Sequence, residues 1–207
     1  MVGLTSNVLT KNGLTAIDSP LSNWAITHRN DTLTPIATTV SNLGGPLAMT
    51  ILATLAVITF GWRGRWPETA LVAATGLGAW ALSDGGKRLI DRPRPPAIHQ
   101  IVLKTNPAYP SGHSLGSIAV VGIVAILLIP HLRSPVTRWI AALAAIAFIA
   151  AVGFSRIYLG VHWPTDVLGG WAVGALWVII CLGGYHYRTC NGIGRTNEYS
   201  ENPVNSP

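Results

Sequence analysis

Three short blocks hold the residues with chemistry in them: Lys87 to Pro95 (KRLIDRPRP), Pro110 to His113 (PSGH) and Ser155 to Asp166 (SRIYLGVHWPTD). Pro93, Pro95 and Pro96 exclude regular helix around Arg94. The segment can therefore fold back and bring Lys87 and Arg94 to one anion, the arginine as a bidentate fork and the lysine as a point charge. Ser111 and Gly112 open an apolar helix whose free N–H groups and positive dipole end also receive an anion. The Ser111 hydroxyl can add a hydrogen bond, and His113 beside it could donate a proton. In the third block Arg156 closes an apolar run, and His162 and Asp166 stand four apart. A carboxylate bonded to Nδ1–H would leave Nε2 free to attack and would stabilise the charge that develops there. Cations to hold a phosphate, one histidine to attack it and another to protonate what leaves are thus all present.

Each block also has an ordinary reading. The first is equally a solvated basic segment against lipid headgroups. The second is a serine cap beside an interfacial histidine, and the third a capping Asp166 near an interfacial His162. What weighs against the ordinary readings is the setting, because ionisable groups at membrane depth are costly and mark functional sites.

That setting follows from composition. Of 207 residues 49% are hydrophobic and only 11% charged, against roughly 25% charged in soluble domains. The mean hydropathy is +0.42. The net charge of +6 does not read as nucleic-acid binding, because Lys87, Arg88, Arg92, Arg94 and Lys104 fall in one connection and the other basic residues mostly flank apolar stretches. Cys181 lies in an apolar run and Cys190 in the polar tail, with no metal-ligand spacing.

The elements that must position the blocks are helices. A spanning helix needs roughly 20 apolar residues, and five segments come close: 44–62, 66–83, 114–130, 137–154 and 167–185. The expected fold is all-α, a polytopic transmembrane helical bundle of five spans with an N-terminal interfacial amphipathic helix. That helix falls within 21–43, where Leu33, Ile36, Ala37 and Val40 repeat at helical spacing. Gly76, Gly78, Ala79, Gly169, Gly170 and Gly174 would allow close helix packing. A polar segment is expected at 1–20, the membrane domain at 21–190 and a disordered cytoplasmic tail at 191–207. Arg63, Arg65, Arg133, Arg138, Arg188 and Arg195 share one side if the spans alternate, which assigns that side to the cytoplasm. The three blocks then face outward.

The pattern of Lys87, six residues, Arg94-Pro95, then Pro110-Ser111-Gly112-His113, then Ser155-Arg156, five residues, His162, three residues, Asp166 resembles the type 2 phosphatidic acid phosphatase superfamily. All three motifs match without substitution, and the resemblance covers about residues 20–185. It implies His162 as the nucleophile of a phosphohistidine intermediate, Asp166 as its orienting partner and His113 as general acid. Lys87, Arg94, Ser111, Gly112 and Arg156 would cradle the phosphoryl oxygens, with no metal or cofactor required. Members commonly have six spans, one more than counted, so a span is expected to be missing ahead of residue 20 or the start to be truncated. The implied substrate is a lipid phosphate or prenyl pyrophosphate (undecaprenyl pyrophosphate, phosphatidylglycerophosphate or phosphatidic acid), met at the external face of the cell membrane among membrane lipids. The alternative is a noncatalytic lipid-phosphate binding or transport protein. Vanadate-dependent haloperoxidase chemistry, found in soluble relatives, fits the apolar spans poorly.

Overall fold

Prolines set where the long helices begin. In the computed structural model, which describes residues 13–198 and side chains through 189, helices start at Pro46, Pro135 and Pro164, the position where a missing N–H goes unnoticed. The α-helices in chain order are α1 (Asp18–Thr27), α2 (Leu33–Leu43), α3 (Pro46–Trp62), α4 (Trp66–Ile90), α5 (Gly112–Leu128), α6 (Pro135–Tyr158) and α7 (Pro164–Glu198). Every regular element among the described residues is helical.

Helix α5 is the hub, packed against α3, α4, α6 and α7. Its Leu115, Ala119 and Ile123 recur every fourth residue, share one stripe and are fully buried, packed with Phe60, Leu71, Val72 and Val178. Close approach of α7 to α5 depends on glycine. A Cβ at Gly170 would fall 2.6 Å from the Ser111 carbonyl oxygen, and one at Gly174 2.2 Å from the Ile118 side chain.

The outer surface is apolar. Leu47, Ile51, Leu55 and Ile58 on α3 and Ile140, Leu143 and Ile146 on α6 are exposed. In water such stripes would drive aggregation; in hydrocarbon they meet their own kind. Three helical stretches, Gly112–His131, Pro135–Tyr158 and Pro164–Thr189, are long and apolar enough to cross a membrane. A fourth crossing is available if α2 and α3, bent by 43°, count as one broken span. Helix α4 has 25 residues, but Glu68, Asp84, Lys87 and Arg88 dilute its apolar run. The expected five spans are therefore not reproduced by length and composition.

The single amphipathic helix expected in 21–43 is two helices. Asn30 Oδ1 accepts from the Thr32 and Leu33 amides at 3.1 and 2.8 Å, a local turn that competes with helix and separates α1 from α2. Leu33 and Ile36 are exposed, while the buried contact of α2 is polar, at Ser41. At the other end α7 continues to Glu198, with no proline before Pro203 to stop it. The part of the expected disordered tail at 191–198 is thus helical. Its remainder, 199–207, lies outside the described residues, as does 1–12 of the expected polar segment, whose last turns form a 3₁₀ helix at Gly13–Ile17 and the start of α1.

The bundle has two chemically distinct ends. The Tyr185 hydroxyl donates to Glu68 Oε1 at 3.3 Å, which ties α7 to the start of α4 at the arginine-rich end. The other end gathers the 91–111 connection, the start of α5, the end of α6 and the start of α7.

Candidate active site

Lys87 reaches this end on the last turns of α4, where Asp91 adopts a left-handed conformation (φ 44°) and terminates the helix. The chain then turns through the prolines to Arg94. Asn106 fixes that guanidinium: Nε donates to its carbonyl oxygen at 2.6 Å and Nη2 to its side-chain oxygen at 2.9 Å. Nη1 donates to the Val161 carbonyl oxygen and lies 3.2 Å from His162 Nε2. Arg156, buried at the end of α6, donates through Nη1 to Ser41 Oγ of α2, and its Nε has no partner.

Lys87, Arg94, Gly112, His113, Arg156 and His162 line one end of a single cavity of about 630 Å³. Its remaining walls are mostly apolar, from Met49, Ala53 and Val57 of α3, Val72, Gly76, Leu77 and Trp80 of α4, and Val120 of α5. Six of the eight residues singled out by sequence therefore meet at one surface. Lys104 and Asn106 also line it.

The other two stand behind. Asp166 is fully buried; its Oδ2 accepts from the Trp163 amide at 2.8 Å and lies 3.4 Å from His162 Nδ1. The expected carboxylate–imidazole pair is thus in place by proximity, but Nδ1 makes no hydrogen bond of normal geometry. Ser111 is buried and off the cavity wall. Its Oγ accepts from the Ser114 amide at 3.4 Å and from Ser114 Oγ at 3.0 Å, so it caps α5.

Burial, followed by the charges of Arg94, Arg156 and Lys87, holds the His162 imidazole well below its ordinary pKa. Desolvation also lowers Arg94, though an arginine remains a cation at any working pH. The imidazole is thus kept neutral beside fixed cations.

Residues that the motif reading passed over complete the framework. Arg92 donates through Nη1 to Asp166 Oδ1 at 2.5 Å and to Thr165 Oγ1 at 2.8 Å, and through Nη2 to Asp18 Oδ2 at 2.6 Å. Arg29 donates to the Tyr158 and His99 carbonyl oxygens, bracing the loop beyond α6. Only Arg92 left a trace in sequence, as one of three arginines in the first block. Trp163 and Tyr158 serve the scaffold: Trp163 Nε1 donates to the Pro93 carbonyl oxygen at 3.0 Å, and Tyr158 Oη accepts from the Asn30 amide at 3.1 Å.

Comparison with known proteins gives this arrangement its class. Residues 67–190 match the PAP2 superfamily. The chain is 31% identical over 181 residues to phosphatidylglycerophosphatase B of Bacillus subtilis (strain 168), spanning 83% of this chain and 85% of that protein. It is 43% identical over 74 residues to an undecaprenyl-diphosphatase of Sulfolobus acidocaldarius, 36% of this chain and 31% of that one. Among solved structures it is similar to a transmembrane PAP2 type phosphatidylglycerolphosphate phosphatase from Bacillus subtilis, with a TM-score of 0.78 and 27% identity over 90% of this chain and 92% of the other. Aquifex aeolicus LpxE shares the fold, with a TM-score of 0.65 and 20% identity over 81% of this chain and 95% of the other. The chain belongs to the PAP2 superfamily. It is a multi-pass membrane protein and a phosphatase.

Proposed function

We propose that this phosphatase hydrolyses a lipid phosphate or prenyl pyrophosphate at the external leaflet. Undecaprenyl pyrophosphate, phosphatidylglycerophosphate and phosphatidic acid are the candidate substrates. The observation that carries the reading is the form of the cavity: three motif cations and both histidines at one end, apolar side chains along the rest. A headgroup fits the first and an acyl or prenyl chain the second. For orientation, Arg63, Arg65, Arg133, Arg138 and Arg188 flank the helix ends away from the site, and cationic connections favour the cytoplasm.

In the first step the Nε2 lone pair of His162 attacks phosphorus and the P–O bond to the leaving group breaks. His113 gives its proton to the departing oxygen, while Asp166 supports the positive charge forming on His162. In the second step His113 takes a proton from water as its oxygen attacks the phosphohistidine, and the P–N bond breaks. Lys87, Arg94, Arg156 and the N–H groups at Gly112 hold the phosphoryl oxygens, and Ser111 keeps that helix start in shape. Fixed cations in a poorly solvated site are the largest contribution to stabilising the transferring group.

The test is phosphate release from the three lipids by purified protein in detergent with excess EDTA. Wild type should turn over, and His162→Ala should be inactive with its melting temperature retained. Turnover by the folded variant would remove the nucleophile. An inactive but lipid-binding wild type would favour the noncatalytic binding protein.

A further inference from the structure

We propose that Asp18 and Arg92 are positioning residues for this reaction: a carboxylate on α1, acting through one guanidinium, sets the orientation of Asp166 toward His162. The inference rests on His162 as nucleophile.

The three side chains form a chain of charges out of solvent. Side-chain exposure is 5% for Asp18, 13% for Arg92 and 0% for Asp166. Arg92 spans the two carboxylates, reaching Asp166 Oδ1 at 2.5 Å and Asp18 Oδ2 at 2.6 Å. Asp18 in turn accepts from the Thr165 amide at 2.9 Å and the Thr165 hydroxyl at 2.8 Å, so it also caps the first turn of α7. The carboxylate torsion of an aspartate is broad and roughly two-fold. Holding Oδ1 on Arg92 leaves Oδ2 as the oxygen 3.4 Å from His162 Nδ1. With that anchor gone only the Trp163 amide holds the carboxylate, and its orientation toward the imidazole is no longer fixed from two sides. One guanidinium between two carboxylates also leaves a formal negative charge, placed behind the imidazole that turns cationic during phosphoryl transfer.

Arg92 and Asp18 do not line the lipid-shaped cavity. Their loss should therefore slow the chemical step and leave substrate binding alone, a fall in kcat without a change in KM. Losing an outer partner that orients a reacting ligand side chain at metal sites costs about 10- to 100-fold, and the same range is expected here.

The experiment measures kcat and KM for phosphate release from phosphatidic acid in detergent by Asp18→Asn, Arg92→Gln, their double variant and Arg92→Lys. Melting temperatures are recorded for each, with His162→Ala in parallel. The singles should lose about 10- to 100-fold in kcat with KM unchanged. The double should be no slower than Arg92→Gln, because the two act as one unit. Arg92→Lys, which keeps the charge but not the fork, should fall between wild type and Arg92→Gln. Wild-type kcat in folded Arg92→Gln overturns the proposal; where that variant does not fold, wild-type kcat in Arg92→Lys does so. A KM that rises as kcat falls also overturns it. Turnover by His162→Ala would instead sink the nucleophile reading beneath it.

Discussion

Arg94 Nη1 stands 3.2 Å from Nε2 of His162. A guanidinium only donates, so this contact is a hydrogen bond when Nε2 carries the lone pair and the ring proton is on Nδ1, on the Asp166 side. That tautomer is the one the proposed attack on phosphorus requires. A bound phosphoryl oxygen would take over the Arg94 proton and free Nε2.

Arg94→Lys tests that exchange. A single ammonium cannot hold the Asn106 and Val161 carbonyl oxygens while also facing the imidazole. The variant should lose about a hundredfold or more in kcat/KM, the range for removing one preorganised donor, with folding intact. Near-wild-type kcat/KM would mean that point charge alone suffices here.

Acid should weaken the fold through His162. Its native pKa lies well below the ordinary 6.5, so the unfolded chain binds a proton there before the native site does. The contribution of the buried neutral ring is whole above about pH 6.5 and is lost as pH falls from there toward the depressed native value. Melts of wild type and His162→Gln between pH 7 and pH 5 should diverge by up to about 1.4 kcal/mol per pH unit. Parallel curves would contradict the shift.

Helix packing gives a sharper structural check. Gly170→Ala forces a methyl group against the Ser111 carbonyl oxygen and Ser114 Cβ and should destabilise by about 1–3 kcal/mol. Gly183→Ala, with nothing within 4 Å of its Cβ position, should be neutral or slightly stabilising through helix propensity. Equal melting temperatures for the two variants would show that α7 can shift off α5 without penalty.

The apolar walls invite a steric test. Gly76 lines the cavity, and its Cβ position is 3.7 Å from Ala53. Gly76→Leu should displace part of an acyl chain; at about 0.8 kcal/mol per methylene, two lost methylenes lower kcat/KM roughly tenfold. Hydrolysis of a short, water-soluble phosphate ester should be unchanged. An equal loss on both substrates would show that the tail lies elsewhere.

Much of this site could be read in sequence because its motifs are local. Lys87 stands seven residues before Arg94, Gly112 and His113 share one helix start, and His162 lies just ahead of the helix whose first turn holds Asp166, so spacing alone brings each set close. The braces resisted reading because they join distant positions: Asp18 to Thr165, Arg92 to Asp166, Ser41 to Arg156. Nothing in one sequence pairs an aspartate at 18 with an arginine at 92. Ser111 shows the converse, since its type fits an anion contact and a helix cap equally, and the structure has it capping. The span count faltered where two demands meet on α4, which must traverse the bundle and also carry Lys87 to the site. The break between α1 and α2 is hard to read in sequence because one side chain makes it, Asn30 accepting from the Thr32 and Leu33 amides.

Thr50 and Thr54 of α3 and Leu77 and Trp80 of α4 line the cavity and are also exposed, so the cavity is open between these two helices. On the proposed function, a greasy substrate would slide in from the side without ever leaving the fatty film. Encounter becomes a search in two dimensions, and turnover would follow the mole fraction of substrate in the surface rather than its bulk molarity. Diluting the film with inert lipid would slow such an enzyme even with total substrate held constant.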